Sequence, residues 1–335
     1  MIFPKRTLFA LVVILVLMAG CQKNRLRFDP GNKDVIVRIE RFDRDLFSIH
    51  PDSIPSKMDY LRNTYGKFLD LFGYVINIGE SNDPLFPGFL KQFLSDETNR
   101  EVYVRTQEIF QDLSWLEKDL TAAFRYYKYY FPDKPVPRVY TYVSRFNHSL
   151  VVAEDLLAIG LDKFMGADVD YYVRLGLPRY LRDNMYPAKI PSDCMFHWAA
   201  TEFEFAGKNN VLNRMIYYGK IMYFTSAMLP GTKKHLLIGY SEEQEKWCRE
   251  NEQAMFGTLV GNKLLFDDNY LTINKLVNEA PFTHFFSRES PGRTGVWIGW
   301  QIVRSYMKHH PEMSLAALML DNDYQKIFEQ AHYKP

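Results

Sequence analysis

From Pro178 to the C-terminus, prolines and capping residues divide the chain into six stretches whose apolar residues recur every three to four positions. Few folds accept such a pattern. The stretches are 191–203, 209–229, 241–260, 269–279, 294–309 and 314–330. In the second, Leu212, Ile216, Gly219, Tyr223 and Ala227 form one stripe, and in the third Ser241 and Gln244 match a capping box. Helices of this kind bury their stripes against one another, so a helical lobe is expected over 178–335.

The first half is mixed. Residues 34–42 (DVIVRIERF) alternate as a strand does, and 53–72 carry Met58, Leu61, Tyr65, Phe68, Leu69 and Phe72 at helical spacing. Asp83-Pro84 opens a short helix through Leu94. Ser114 and Glu117 match a second capping box, ahead of a stripe of Leu116, Leu120, Ala123, Tyr127 and Tyr130. Residues 139–143 and 150–153 read as strands, and 156–161 as a third strand or the start of a buried helix. Their short links predict a small antiparallel sheet. The expected fold class is α+β, predominantly α-helical, a single domain over 34–335 with a mixed lobe at 34–177.

Residues 1–20 are excluded from that fold. A basic start (Lys5, Arg6), eleven apolar residues from Leu8 to Met18 and the small pair Ala19-Gly20 form a secretory signal, too short for a membrane span of about 20 residues. Leu17-Met18-Ala19-Gly20-Cys21 resembles the bacterial lipobox, which implies acylation of Cys21 with palmitate among the chains, and residues 21–33 as a tether. The full chain carries 41 basic and 40 acidic side chains. That balance gives nucleic acid no electrostatic footprint to bind, and it turns slightly negative once Lys5 and Arg6 are removed. The expected location is the cell envelope, on the inner or outer membrane and facing the periplasm. Cys194 and Cys248 remain, and their helix-like apolar neighbourhoods favour two buried thiols over a disulfide.

No cofactor or metal set can be read. The eight histidines include no pair four apart, so His-Glu-x-x-His is absent, as are the serine-hydrolase elbow, the P-loop and the dinucleotide fingerprint. His309 and His310 are expected to cap helix carbonyls. Trp297 and Trp300 lie on one helix face and read as core.

Four stretches, RMIYYGKIMYFTSAMLP (214–230), IGYSEEQEKWCRENEQAMF (238–256), APF (280–282) and SPGRTGVWIGWQIVRSYM (290–307), carry a family resemblance together with DVIVRIERFDRDLF (34–47) and the terminal HYKP. They resemble the gliding-motility lipoprotein GldB family of Bacteroidota, which implies a membrane-anchored envelope protein associated with gliding and its secretion apparatus. The order of helices is also similar, distantly, to gluzincin-type zinc peptidases. In that comparison His197 matches the first ligand, while Trp198, Thr201 and Tyr218 stand where the glutamate, second histidine and third ligand belong. The resemblance thus implies a peptidase-like scaffold without its metal.

The expected function is non-catalytic: binding of another envelope protein or glycan, with no catalytic residues, cofactor or metal, and with the membrane held through lipid. His197, Glu202, Lys220, Glu252 and Arg293 are the candidate cleft residues; a buried ion-pair network is the alternative for Lys220, Glu252 and Arg293. A hydrolase, peptidase-like or glycan-active, is the alternative function.

Overall fold

A computed structural model describes residues 26–335. The expectations for the signal and for Cys21 lie outside the described residues. The mixed lobe runs β1 (Ile39–Glu40), α1 (Phe42–Ser48), α2 (Ile54–Tyr65), α3 (Lys67–Val75), α4 (Phe86–Ser95), α5 (Glu97–Ile109), α6 (Ser114–Tyr130), β2 (Arg138–Tyr142), β3 (Leu150–Ala153) and β4 (Leu156–Gly160). After the short helices α7 (Asp170–Arg174) and α8 (Arg179–Arg182) come α9 (Ile190–Glu202), α10 (Val211–Met228), α11 (Lys234–Ile238), α12 (Glu242–Glu250), α13 (Glu252–Gly261), α14 (Tyr270–Val277), α15 (Thr294–His309), α16 (Leu315–Leu320) and α17 (Tyr324–Gln330).

The protein is α+β and helix-dominated, but the sheet is mixed rather than antiparallel. Its order is β1-β2-β4-β3, with β1–β2 and β2–β4 parallel and only β3–β4 antiparallel. Short links misled here because β4 turns back from β3 and inserts beside β2, leaving β3 at the edge. The segment expected over 156–161 is a strand, β4, through Gly160, buried at every position as a central strand requires. The strand expected over 34–42 is confined to two residues.

Side chains alternate across the sheet. Val139, Leu157 and Ile159 join a core shared with α6 and the helical lobe, while Tyr140, Tyr142, Leu156 and Ala158 join a second core with α1 to α4. In the second, Phe42 meets Tyr65, Phe68 and Phe72 edge-on at 4.8–5.0 Å, and Phe68 stacks on Tyr140 at 4.4 Å. Most of the aromatic excess is this kind of packing.

Buried polar residues tie the first core together. Asp43, fully buried, accepts from Arg41 Nε (2.9 Å) and Nη2 (2.7 Å), from Gln107 Nε2 (2.8 Å) and from Thr141 Oγ1 (2.5 Å). Arg41 also donates to the Phe110 carbonyl (3.0 Å). One carboxylate therefore joins α1, α5 and β2. The capping box expected at Ser114 and Glu117 is absent. Glu117 turns away to accept from Ile39 N–H (2.9 Å) and Arg38 (3.3 Å), while Ser114 bonds to Asp112.

Asp162, also fully buried, accepts from the N–H groups of Ser144 (3.1 Å) and Phe146 (2.6 Å), across a turn in which Arg145 and Phe146 both have left-handed φ (60° and 66°). Burial pushes its carboxyl up to about 6, against the pull of those N–H groups. A raised carboxyl pKa favours the folded state below the ordinary value of 3.8, and that contribution fades as pH rises through 6. Asp162→Asn keeps one acceptor oxygen and removes the charge, at the cost of an amide N–H₂ where Oδ1 has no partner. Urea unfolding across pH 4–8 should show a flatter pH dependence in the variant and a gain of about 1 kcal/mol at pH 8.

The helical lobe is organised by the crossing of α10 and α15. A Cβ on Gly219 would stand 2.3 Å from the Gly299 carbonyl oxygen, and one on Gly299 would stand 1.8 Å from that of Met215. The two backbones touch, and only glycine permits it. Trp297 and Trp300 are buried around this crossing, as expected of core residues. The capping box of Ser241 and Gln244 is present, with 2.9 and 3.1 Å bonds. Three stretches expected as single helices are broken, at Gly66, at Asn251 and at 321–323. Cys194 and Cys248 are buried and free, and His309 Nδ1 lies 2.9 Å from the Ser305 carbonyl.

Candidate functional site

A cleft of about 530 Å³ opens in the helical lobe between the loop that precedes α9, α11 with the start of α12, and the segment leading into α15. Local chemistry builds each wall. Gly239, with φ +82°, ends α11 in the left-handed conformation, and its N–H and that of Tyr240 both donate to the His235 carbonyl (2.9 and 2.8 Å). Tyr240 Oη then donates to the Gly292 carbonyl (2.7 Å), fastening this wall to the next. Thr283 Oγ1 donates to the Pro291 carbonyl and accepts from Thr294 Oγ1, both at 2.8 Å, so the entry to α15 is held from inside.

Arg293 caps α15 with left-handed φ (58°). Its Nη1 donates to the Ile238 carbonyl (3.2 Å), and its guanidinium lies 5.3 Å over the Phe196 ring. Phe196 stacks in turn on Tyr218 (6.3 Å, 4° between planes). His197 follows Phe196 on α9 and keeps an exposed edge. The protein around it still strips enough water to hold its imidazole below the ordinary histidine value; Lys189 and Arg293 push the same way, while Asp193 and Glu279 oppose them. Among the residues that line the cleft, His235 stands between two carboxylates, Glu245 Oε2 at 3.6 Å and Glu242 Oε1 at 4.0 Å.

Only two of the five candidate residues come together. Arg293 lines the cleft, and His197 is joined to it through Phe196 from outside the lining. Glu202, at the far end of α9, pairs with Lys134 (3.0 Å). Lys220 is buried beside the glycine crossing, donates to the Asp321 carbonyl (2.6 Å) and lies 5.3 Å over the Tyr324 ring. Burial pulls its ammonium down to about 8. Glu252 accepts from Tyr333 Oη (2.7 Å) and Trp297 Nε1 (3.2 Å), clamping the C-terminus to α13 and α15. Lys220, Glu252 and Arg293 thus serve three separate places rather than one ion-pair network. Sequence reasoning missed Tyr180, Asp183, His235 and Glu279 as cleft residues, although Gly239-Tyr240 and Pro291-Gly292-Arg293 were visible as turn signals around them.

Trp198 is buried against Phe124 (5.8 Å) and Tyr127 (6.0 Å) and faces the core. No group of three or more metal-ligating side chains occurs among the described residues.

A family model that spans nearly the whole chain places it among the gliding-motility-associated lipoproteins of the cell envelope. The family is that of the gliding motility protein GldB; its model matches residues 23–335, and the chain belongs to it. No curated protein and no solved structure matches the chain. Among the described residues, no helix is long and apolar enough to cross a membrane.

Proposed function

We propose that the protein is held to the periplasmic side of an envelope membrane by lipid on Cys21 and binds another envelope component, protein or glycan, in the cleft of its helical lobe without catalysis. The observation that carries this reading is the cleft itself. Its walls are fixed by bonds between backbone and buried side chains, and its polar lining includes Arg293, His235 and Glu279. The lining suits recognition of a polar partner. Affinity isolation of the intact lipoprotein from membranes tests it: a co-purifying component lost in Arg293→Glu supports the cleft, and one retained by that variant argues against it.

Anchoring has its own expected result. Cys21→Ala should move the protein from the membrane to the soluble fraction on cell fractionation, because the near-neutral chain offers little charge to hold it there. Retention of the variant in the membrane fraction would contradict lipid as the main tether.

A second reading is a hydrolase with unorthodox ligands, with His197, whose imidazole is held below the ordinary histidine value beside Arg293, as its candidate base. One stoichiometric zinc in the purified mature protein, lost in His197→Ala, would overturn the non-catalytic reading.

A further inference from the structure

The chain just after the anchor is not a loose tether where it is described. Phe28 packs edge-on against Tyr126 (5.2 Å), Tyr129 (4.8 Å) and Tyr130 (6.1 Å) at the end of α6. Its N–H donates to Tyr126 Oη (3.3 Å), and the same hydroxyl donates back to the Phe28 carbonyl. Asn32 Nδ2 donates to the Arg125 carbonyl (3.2 Å), and Arg125 donates to the carbonyls of Val35 (3.2 Å) and Lys33 (3.1 Å).

This docking shortens the leash. Five peptide steps separate Cys21 from Leu26, and fully extended they reach about 18 Å. A compact chain of this length has a radius of gyration of about 19 Å, hence a diameter of about 50 Å. The leash is shorter than the body's radius, so the face that carries residues 26–33 cannot point away from a bilayer that holds Cys21.

The chemistry of that face agrees with such a position. Tyr129 is 53% exposed beside Phe28, and Ile36 is 58% exposed a few residues further on. Tyrosine favours the headgroup level, where its ring is sheltered and its hydroxyl is wet. On that face Arg27 and Lys33 balance Asp29 and Asp34, while by sequence the leash carries Lys23 and Arg25, and each cation near an anionic leaflet contributes about 1 kcal/mol. Resting on the reading that Cys21 is lipidated, we propose that the face formed by residues 26–33 and the last turn of α6, with Tyr129 at its centre, rests on the phospholipid headgroups of the anchoring membrane.

The test places a bimane fluorophore on Tyr129→Cys or, as reference, on Leu85→Cys, in the full lipidated protein. Leu85 is 64% exposed next to α4, which packs on the opposite face of the sheet from α6. Cys194 and Cys248 are buried, with thiols pushed above the ordinary range, so labelling is confined to the new site. Each sample is bound to vesicles of phosphatidylethanolamine and phosphatidylglycerol that contain a lipid with a nitroxide on its headgroup. The expected result is loss of fluorescence at position 129 and none at 85. Equal quenching at the two sites, or none at 129, in protein that carries acyl chains and floats with the vesicles overturns the proposal while lipid anchoring stands. A Cys21 peptide without acyl mass, in protein that does not float, overturns both.

Discussion

Asp43→Ala should cost about 4 kcal/mol in urea unfolding at pH 7, with the denaturant slope unchanged. Four donors converge on this fully buried carboxylate, two of them from Arg41, whose side chain is only 16% exposed. Removing it leaves a guanidinium in the protein interior with only neutral acceptors, Phe110 O at 3.0 Å and Gln107 Oε1 at 3.0 Å. It also leaves Thr141 without its acceptor. A domain is stable by about 5–15 kcal/mol, so this one truncation removes a large share. Asp43→Asn keeps the shape and an acceptor oxygen, and should lose less. If alanine costs under about 1 kcal/mol, the network is not holding α1, α5 and β2 together.

Gly299→Ala is the second large effect, and it comes from a methyl group added rather than a charge removed. The new Cβ meets a backbone oxygen, Met215 O, at 1.8 Å, and no rotamer change can relieve it. Either α15 moves away from α10 or the helix bends, and each option opens gaps among Trp297, Trp300 and their neighbours. The expected loss is about 3 kcal/mol, at the upper end for overpacking. Gly219→Ala strains the same crossing at 2.3 Å from Gly299 O, so the double variant should cost less than the sum of the two singles. A melting temperature unchanged in Gly299→Ala would show that the crossing is not close-packed.

What the sequence revealed was local. Ser241 and Gln244 cap α12 because both partners lie within one turn. Glu117 follows the same pattern but spends its carboxylate on β1, 78 residues away, and nothing in its neighbourhood says so. The sheet failed for the same reason, since its order depends on β4 entering between β2 and β3. Helical periodicity carried across Gly66 because apolar spacing survives there, while the backbone turns to φ 48°. Beside the site, His197 on α9 and Arg293 at the cap of α15 are joined through Phe196 only in three dimensions. Lys220 and Glu252 looked like cleft charges because sequence shows a charge without its neighbours. Inside the fold, one is held by a backbone carbonyl and the other by a tyrosine and an indole.

The parallel pairing of β1 with β2 also bears on how the chain acquires its shape. Ile39 pairs with Val139 and Glu40 with Tyr140, so the first strand waits for a partner about a hundred residues later, and β2 waits in turn for β4. Loops of that length close slowly, because their entropy is lost before any ladder bond repays it. A chain made from its N-terminus presents α1 to α6 with no complete sheet to pack on until residue 160 has followed. Over that interval Phe68 and Phe72 pack on Phe42 but lack Tyr140 and Tyr142, and the apolar surface left open is the kind that holding chaperones bind. The topology thus sets a period of vulnerability during synthesis that ends only when β4 slots in beside β2.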